Sequence, residues 1–70
     1  MAKKTVEKQF GEKLRAVRLK KNVSQEKLAE DAGLHRTYVS LIERGQRNIT
    51  LRTIDKLAQA LKVRMCDLMP

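Results

Sequence analysis

The chain holds few groups able to do covalent chemistry. His35 is the only histidine and Cys66 the only cysteine. One imidazole and one thiol cannot supply Cys/His metal spacing, and a lone thiol closes no disulfide within the chain. The carboxylates are scattered and mostly stand at helical spacing from Lys or Arg, where they pair instead of forming an acid–base couple. Glycine-rich phosphate loops are missing. These residues point away from catalysis and imply neither a metal nor a cofactor. A different set carries chemistry of another kind: Arg36, Thr37, Ser40, Leu41 and Arg44. On a helix with Val39 and Ile42 turned inward, this set projects outward or flanks the exposed face. Its chemistry is hydrogen bonding and apolar contact with a partner's edges.

The charge balance suggests the partner. Sixteen Lys and Arg against eight Asp and Glu leave a formal net charge of +8. An excess of this size suits an anionic partner, and nucleic acid is the foremost. Arg36 could donate as a fork to guanine O6 and N7, or hold a phosphate. Thr37 could bond a base edge or offer its methyl to thymine. Ser40 suits a base or a phosphate, and Leu41 either a thymine methyl or a neighbouring loop. Tyr38 could place its hydroxyl on the DNA backbone or bury its ring. His35, at the helix entrance, fits a cap or a phosphate contact. Beyond the helix, Arg47, Asn48 and Thr50 are placed to hold phosphates, with Arg44 and Arg52 as general electrostatic candidates.

The elements that must position these groups read as helices throughout. Proline occurs only at Pro70, and alternating β-branched runs are missing. Residues 1–5 read as a loose basic tail, and 6–70 as one domain. A first helix is expected over about 6–21, with Phe10, Leu14 and Val17 on one face and Asn22 as a left-handed cap. Leu19 projects from the opposite face. Ser24 is a good N-cap for a second helix over about 24–32, with Val23 and Leu28 at the staple positions. Lys27 stands where a full capping box needs Glu or Gln. Gly33 can take a positive φ at no steric cost, as a tight turn between helices requires. A third helix follows over about 35–44, ended by Gly45. Thr50 caps a fourth helix whose apolar stripe is Leu51, Ile54, Leu57, Ala58 and Leu61, and a short turn at about 65–69 closes the chain. The expected architecture is all-α, a compact domain of four to five helices containing a helix-turn-helix.

Particular residues support that motif jointly. Leu28 and Ala29 precede Gly33 by five and four residues, Ala29 is small where the helices cross, and Leu34 plugs the turn. Ser24-Gln25-Glu26-Lys27-Leu28-Ala29, Ala32-Gly33-Leu34, Tyr38-Val39-Ser40 and Ile42-Glu43-Arg44-Gly45 together resemble the phage repressor and Cro type (Xre-like) helix-turn-helix family. The likeness continues through Arg47-Asn48-Ile49-Thr50-Leu51 and Ile54-Asp55-Lys56-Leu57-Ala58, covering about 10–69. Within that family, His35-Arg36-Thr37-Tyr38-Val39-Ser40 and the short length are similar to restriction–modification controller proteins. The resemblance implies a lambda repressor-like fold of five helices with the third in the major groove. It implies a phosphate contact for Gln25 at the start of the second helix, where free N–H groups also favour an anion. It further implies a partly buried salt bridge between Arg18 and Glu43.

The expected function is a sequence-specific regulator of transcription on double-stranded DNA. One reading helix spans too few base pairs to be selective, so a homodimer on a pseudo-palindromic operator is expected. Its dimer surface is placed near the end of the fourth helix and last turn, among residues such as Leu61, Val63, Met65 and Leu68, some of which must instead complete the core. A cytoplasmic location is expected, because no apolar run approaches a membrane span. Two rivals stay open. One is a protein-interaction module: an antitoxin of the same fold that binds a toxin as well as its own operator, or a helical adaptor that binds no DNA and would expose an apolar groove around Arg36, Thr37 and Ser40. The other is nucleic-acid binding without sequence preference. RNA polymerase also remains open as a partner, and repression and activation are equally compatible with the sequence.

Overall fold

The computed structural model describes residues 4–70. Four helices follow one another: α1 (Val6–Lys20), α2 (Gln25–Ala32), α3 (Arg36–Glu43) and α4 (Leu51–Leu61), then a single 3₁₀ turn at Met65–Asp67. No helix among the described residues is long and apolar enough to cross a membrane.

Side-chain caps start all four helices. Thr5, Ser24 and Thr50 accept from the backbone N–H groups of Lys8, Lys27 and Thr53, satisfying donors that a helix start leaves free. Residues 1–3 of the expected loose tail lie outside the described residues. Lys4 and Thr5 depart from that reading: Thr5 caps α1, and the Lys4 ammonium stands 2.9 Å from Glu12. Each helix is followed by a residue of positive φ: Asn22 at 58°, Gly33 at 69°, Gly45 at 72° and Lys62 at 59°. After α2, the N–H groups of Gly33 and Leu34 donate back to Glu30 and Ala29 across 3.2 and 2.8 Å. That pairing closes the helix and turns the chain at once.

One core joins the elements. Phe10 and Leu14 of α1, Leu28, Ala29 and Ala32 of α2, Val39 and Ile42 of α3, and Ile54, Leu57, Ala58 and Leu61 of α4 are buried together with Leu68. Leu34, Val17, Val23 and Ile49 pack against it from the rim. Burying each large aliphatic side chain contributes about 1.5–3 kcal/mol before conformational entropy is subtracted.

One apolar assignment is corrected and another is resolved. Leu51 does not join the α4 stripe and is 71% exposed. It is the first residue of the helix, one turn before Ile54 enters the core. Of the four residues that could complete the core or form a dimer surface, Leu61 and Leu68 are enclosed by their own chain at 2% and 0% exposure. Val63 and Met65 are half-buried against the same core. A domain this small needs the last turn to close its own interior.

A close approach between α1 and α3 was not foreseen. Gly11 is buried in the middle of α1. A Cβ built there would lie 2.3 Å from the Ile42 carbonyl oxygen and 2.6 Å from that of Glu43. Glycine at 11 lets two helix backbones nearly touch, which fixes the height of α3 on the core.

Candidate nucleic-acid interface

The αL turn at Gly33 places α2 and α3 as a rigid pair, locked below by Leu28, Ala29, Val39 and Ile42. His35 is the N-cap of α3. Its Nδ1 accepts the Thr37 N–H at 3.1 Å, which leaves Nε2 as the free ring nitrogen. A capping role for His35 is thus present in the structure, and a phosphate contact would have to use Nε2.

The solvent side of α3 carries the expected set. Arg36 and Thr37 are exposed, and Ser40 and Leu41 are half-buried. Arg44, beyond the last turn, is exposed with its Nε 3.5 Å from the Ser40 carbonyl. Arg36, Arg44, Arg47 and Arg52 have no carboxylate partner among the described residues, whereas Lys4, Arg18, Lys27 and Arg64 do. The cations around α3 therefore keep their full charge for an external anion. The surface at Arg36, Thr37 and Ser40 is polar, unlike the apolar groove that a helical adaptor would show.

The loop after α3 bends back on it. The Arg47 guanidinium carbon stands 5.2 Å from the centroid of the Tyr38 ring, within cation–π range. Tyr38 is half-buried, its ring packed on the core rim. Arg47 and Asn48 are exposed. The Thr50 hydroxyl is engaged as the α4 cap and lies 3.0 Å from the Thr53 hydroxyl. Any anion met there would find the free backbone N–H groups of the first turn more readily than that hydroxyl.

Behind the surface lies a buried ionic network. Arg18 and Glu43 meet through a fork: Nε donates to Oε2 at 2.6 Å and Nη2 to Oε1 at 3.1 Å. A third donor of Arg18, Nη1, reaches the Val23 carbonyl at 2.8 Å. The side chains of Arg18 and Glu43 are 9% and 2% exposed. Gln25 joins them, its Nε2 donating to Glu43 Oε1 at 3.0 Å. One of the two amide hydrogens of Gln25 is thus directed inward, leaving the other for an outside acceptor. The network ties α1, α2 and α3 together, and no fully buried side-chain nitrogen or oxygen among the described residues lacks a partner.

Sequence reasoning placed the surface set but missed the inward bond of Gln25 and the stacking of Arg47 on Tyr38. Neither has a linear signal, because each depends on side chains brought together by the turn. Gly11 did carry one, since glycine inside an amphipathic helix has a packing reason more often than none.

A compact helical domain with this turn, this core and an exposed polar face on α3 defines a class, and the comparisons agree. The helix-turn-helix family profile matches residues 14–68. The chain belongs to the Xre/Cro-like helix-turn-helix family of DNA-binding transcriptional regulators. Within that family it is most plainly similar to restriction–modification controller proteins. It is 56% identical over 61 residues to the control protein C.BamHI of Bacillus amyloliquefaciens, covering 86% of this chain and 75% of that one. The crystal structure of the controller protein C.AhdI from Aeromonas hydrophila superposes with a TM-score of 0.88 at 48% identity, covering 90% of this chain and 96% of that chain. The controller protein C.Esp1396I, solved as a tetramer with its natural 35 base-pair operator, matches at a TM-score of 0.82 and 32% identity, covering 89% and 82%.

Proposed function

We propose that this protein is an operator-binding regulator of the controller type. It binds a pseudo-palindromic duplex as a homodimer, with α3 of each protomer in the major groove. Arg36, Thr37, Ser40 and Leu41 meet base edges. Gln25, His35, Arg44, Arg47, Asn48 and Thr50 line the flanking phosphates, with Thr50 acting through its helix start, and Tyr38 stands among them with its ring half-buried. The observation that carries the reading is the α3 surface: the exposed Arg36 cation and Thr37 hydroxyl, with the half-buried Ser40 hydroxyl beside them, backed by a rigid turn. Base readout needs that combination. The likeness to C.Esp1396I, itself solved on an operator, supports operator binding. By similarity to C.BamHI and C.AhdI, the regulated genes belong to a restriction–modification system.

The burial pattern supports self-association through apolar groups that the fold leaves exposed. Leu51 is 71% exposed, Val6 65% and Met69 42%, and a groove between Val6 and Met69 is lined also by Glu7, Asn48, Ile49 and Pro70. The exposed apolar groups Val6, Leu51 and Met69 are the ones a second copy would cover. Selection of bound sequences from a random duplex pool tests the reading. A recovered motif with two half-sites about one helical turn apart is the expected result. Recovery of no motif refutes sequence specificity. Sedimentation of Leu51→Glu should show a shift toward monomer, and an unchanged dimer would remove that surface from the interface.

A further inference from the structure

The stacking of Arg47 on Tyr38 gives the tyrosine a role that its hydroxyl does not require. Arg47 follows Gln46 in the stretch between α3 and α4, which has no regular secondary structure. A long side chain in such a loop samples many rotamers, and clamping it to a phosphate loses that freedom. Here the guanidinium is held 5.2 Å from the ring centroid before any ligand arrives. The ring is itself anchored, being half-buried against the core beside Val39. Tyr38 lies in the first turns of α3, so the stack draws the charge of Arg47 back alongside the same end of the helix that carries Arg36 and Thr37.

We propose that Tyr38 is a positioning residue for DNA binding, whose ring pre-orients the Arg47 guanidinium toward a phosphate beside the reading helix. This rests on α3 being the DNA-facing helix. The ring acts through its π face, so phenylalanine at 38 retains the function and an aliphatic residue loses it. The advantage is preorganisation: an arginine already ordered in the free protein loses less on binding than one recruited from solution.

The test has two arms. The first needs no DNA. Tyr38 is the only tyrosine, tryptophan is absent and the single phenylalanine, Phe10, is unchanged in every variant, so a ring-current shift lost with the Tyr38 ring is assigned to it. The side-chain methylene protons of Arg47 should be shifted upfield by NMR in the wild type and in Tyr38→Phe. In Tyr38→Leu they should return to ordinary positions. Unshifted protons in the wild type overturn the proposal.

The second arm is a double-mutant cycle on a selected duplex and a scrambled one, titrated at several salt concentrations. Arg47→Ala should lower the log–log salt slope by about 0.9, the loss of one phosphate contact. Tyr38→Phe should bind within about twofold of wild type, and Tyr38→Leu about three- to fivefold more weakly. In the Arg47→Ala background, Tyr38→Leu should cost almost nothing further. Equal losses in Tyr38→Phe and Tyr38→Leu would assign the effect to the hydroxyl and overturn the proposal. Independent, multiplying losses for Tyr38→Leu and Arg47→Ala would do the same. Failure of the underlying reading looks different: the wild type would bind both duplexes equally, while the cycle stayed readable through phosphate contacts. A wild type that binds neither duplex overturns both.

Discussion

Replacing Arg18 by methionine and Glu43 by leucine, singly and together, tests how the buried ionic network stabilises the domain. In Glu43→Leu, the Arg18 guanidinium loses both bonds of its fork and keeps only the Val23 carbonyl. In Arg18→Met, the Glu43 carboxylate keeps only the Gln25 amide. Because those side chains are 9% and 2% exposed, water cannot replace the lost partner without opening the core. Stranding one charge of such a pair costs about 3–5 kcal/mol. A chain of 70 residues is stable by only about 4–10 kcal/mol, so either single variant sits near the edge of folding. The double variant strands no charge. It leaves the Val23 carbonyl and the half-buried Gln25 amide without their partners, a loss of about 1–2 kcal/mol. Urea unfolding followed by far-UV circular dichroism should therefore give a midpoint for the double variant above those of both single variants. A double variant no more stable than the worse single one would refute the reasoning, as would a loss below about 1 kcal/mol in either single.

Gly11→Ala should lower the melting temperature although alanine favours a helix interior by about 1 kcal/mol. The added Cβ meets the main-chain oxygens of Ile42 and Glu43, which cannot rotate aside, and the net loss should be about 1–3 kcal/mol. A rise in melting temperature would remove the close approach from the account. Lys62→Gly should act in the opposite direction, stabilising by about 0.5–1 kcal/mol in the same assay, because Lys62 holds a φ of 59° that costs an L residue more than glycine. Arg36→Ala should weaken binding to the selected operator by about 1–3 kcal/mol and relax selectivity at a single base position. Uniform weakening across all sequences would place Arg36 on a phosphate instead.

Much of the fold is legible because helix starts, helix stops and apolar spacing are local properties. Ser24 and Thr50 announce their helices by hydroxyl chemistry alone, and Gly33 announces the turn by the backbone freedom only glycine has at no cost. The exposure of Arg36 and Thr37 follows from the inward placement of Val39 and Ile42, since helical geometry then decides which side chains face outward. Lys62 had no such signal. Its left-handed conformation is imposed by the return of Val63 to the core, where its N–H donates to the Ala58 carbonyl.

From the residues by themselves came the helical elements, the motif, the outward polar set and the basic partner preference, all of which depend on neighbours within a turn or two. Packing in three dimensions decided the rest. It chose Leu61 and Leu68 for the interior and left Leu51 outside, because a small domain encloses only as much as its last turn can cover. It also joined Gln25 to Glu43 and Arg47 to Tyr38, pairings 18 and nine positions apart in the chain. Contacts of that kind form only once the helices have been set at their angles, and hydrophobic periodicity does not encode them.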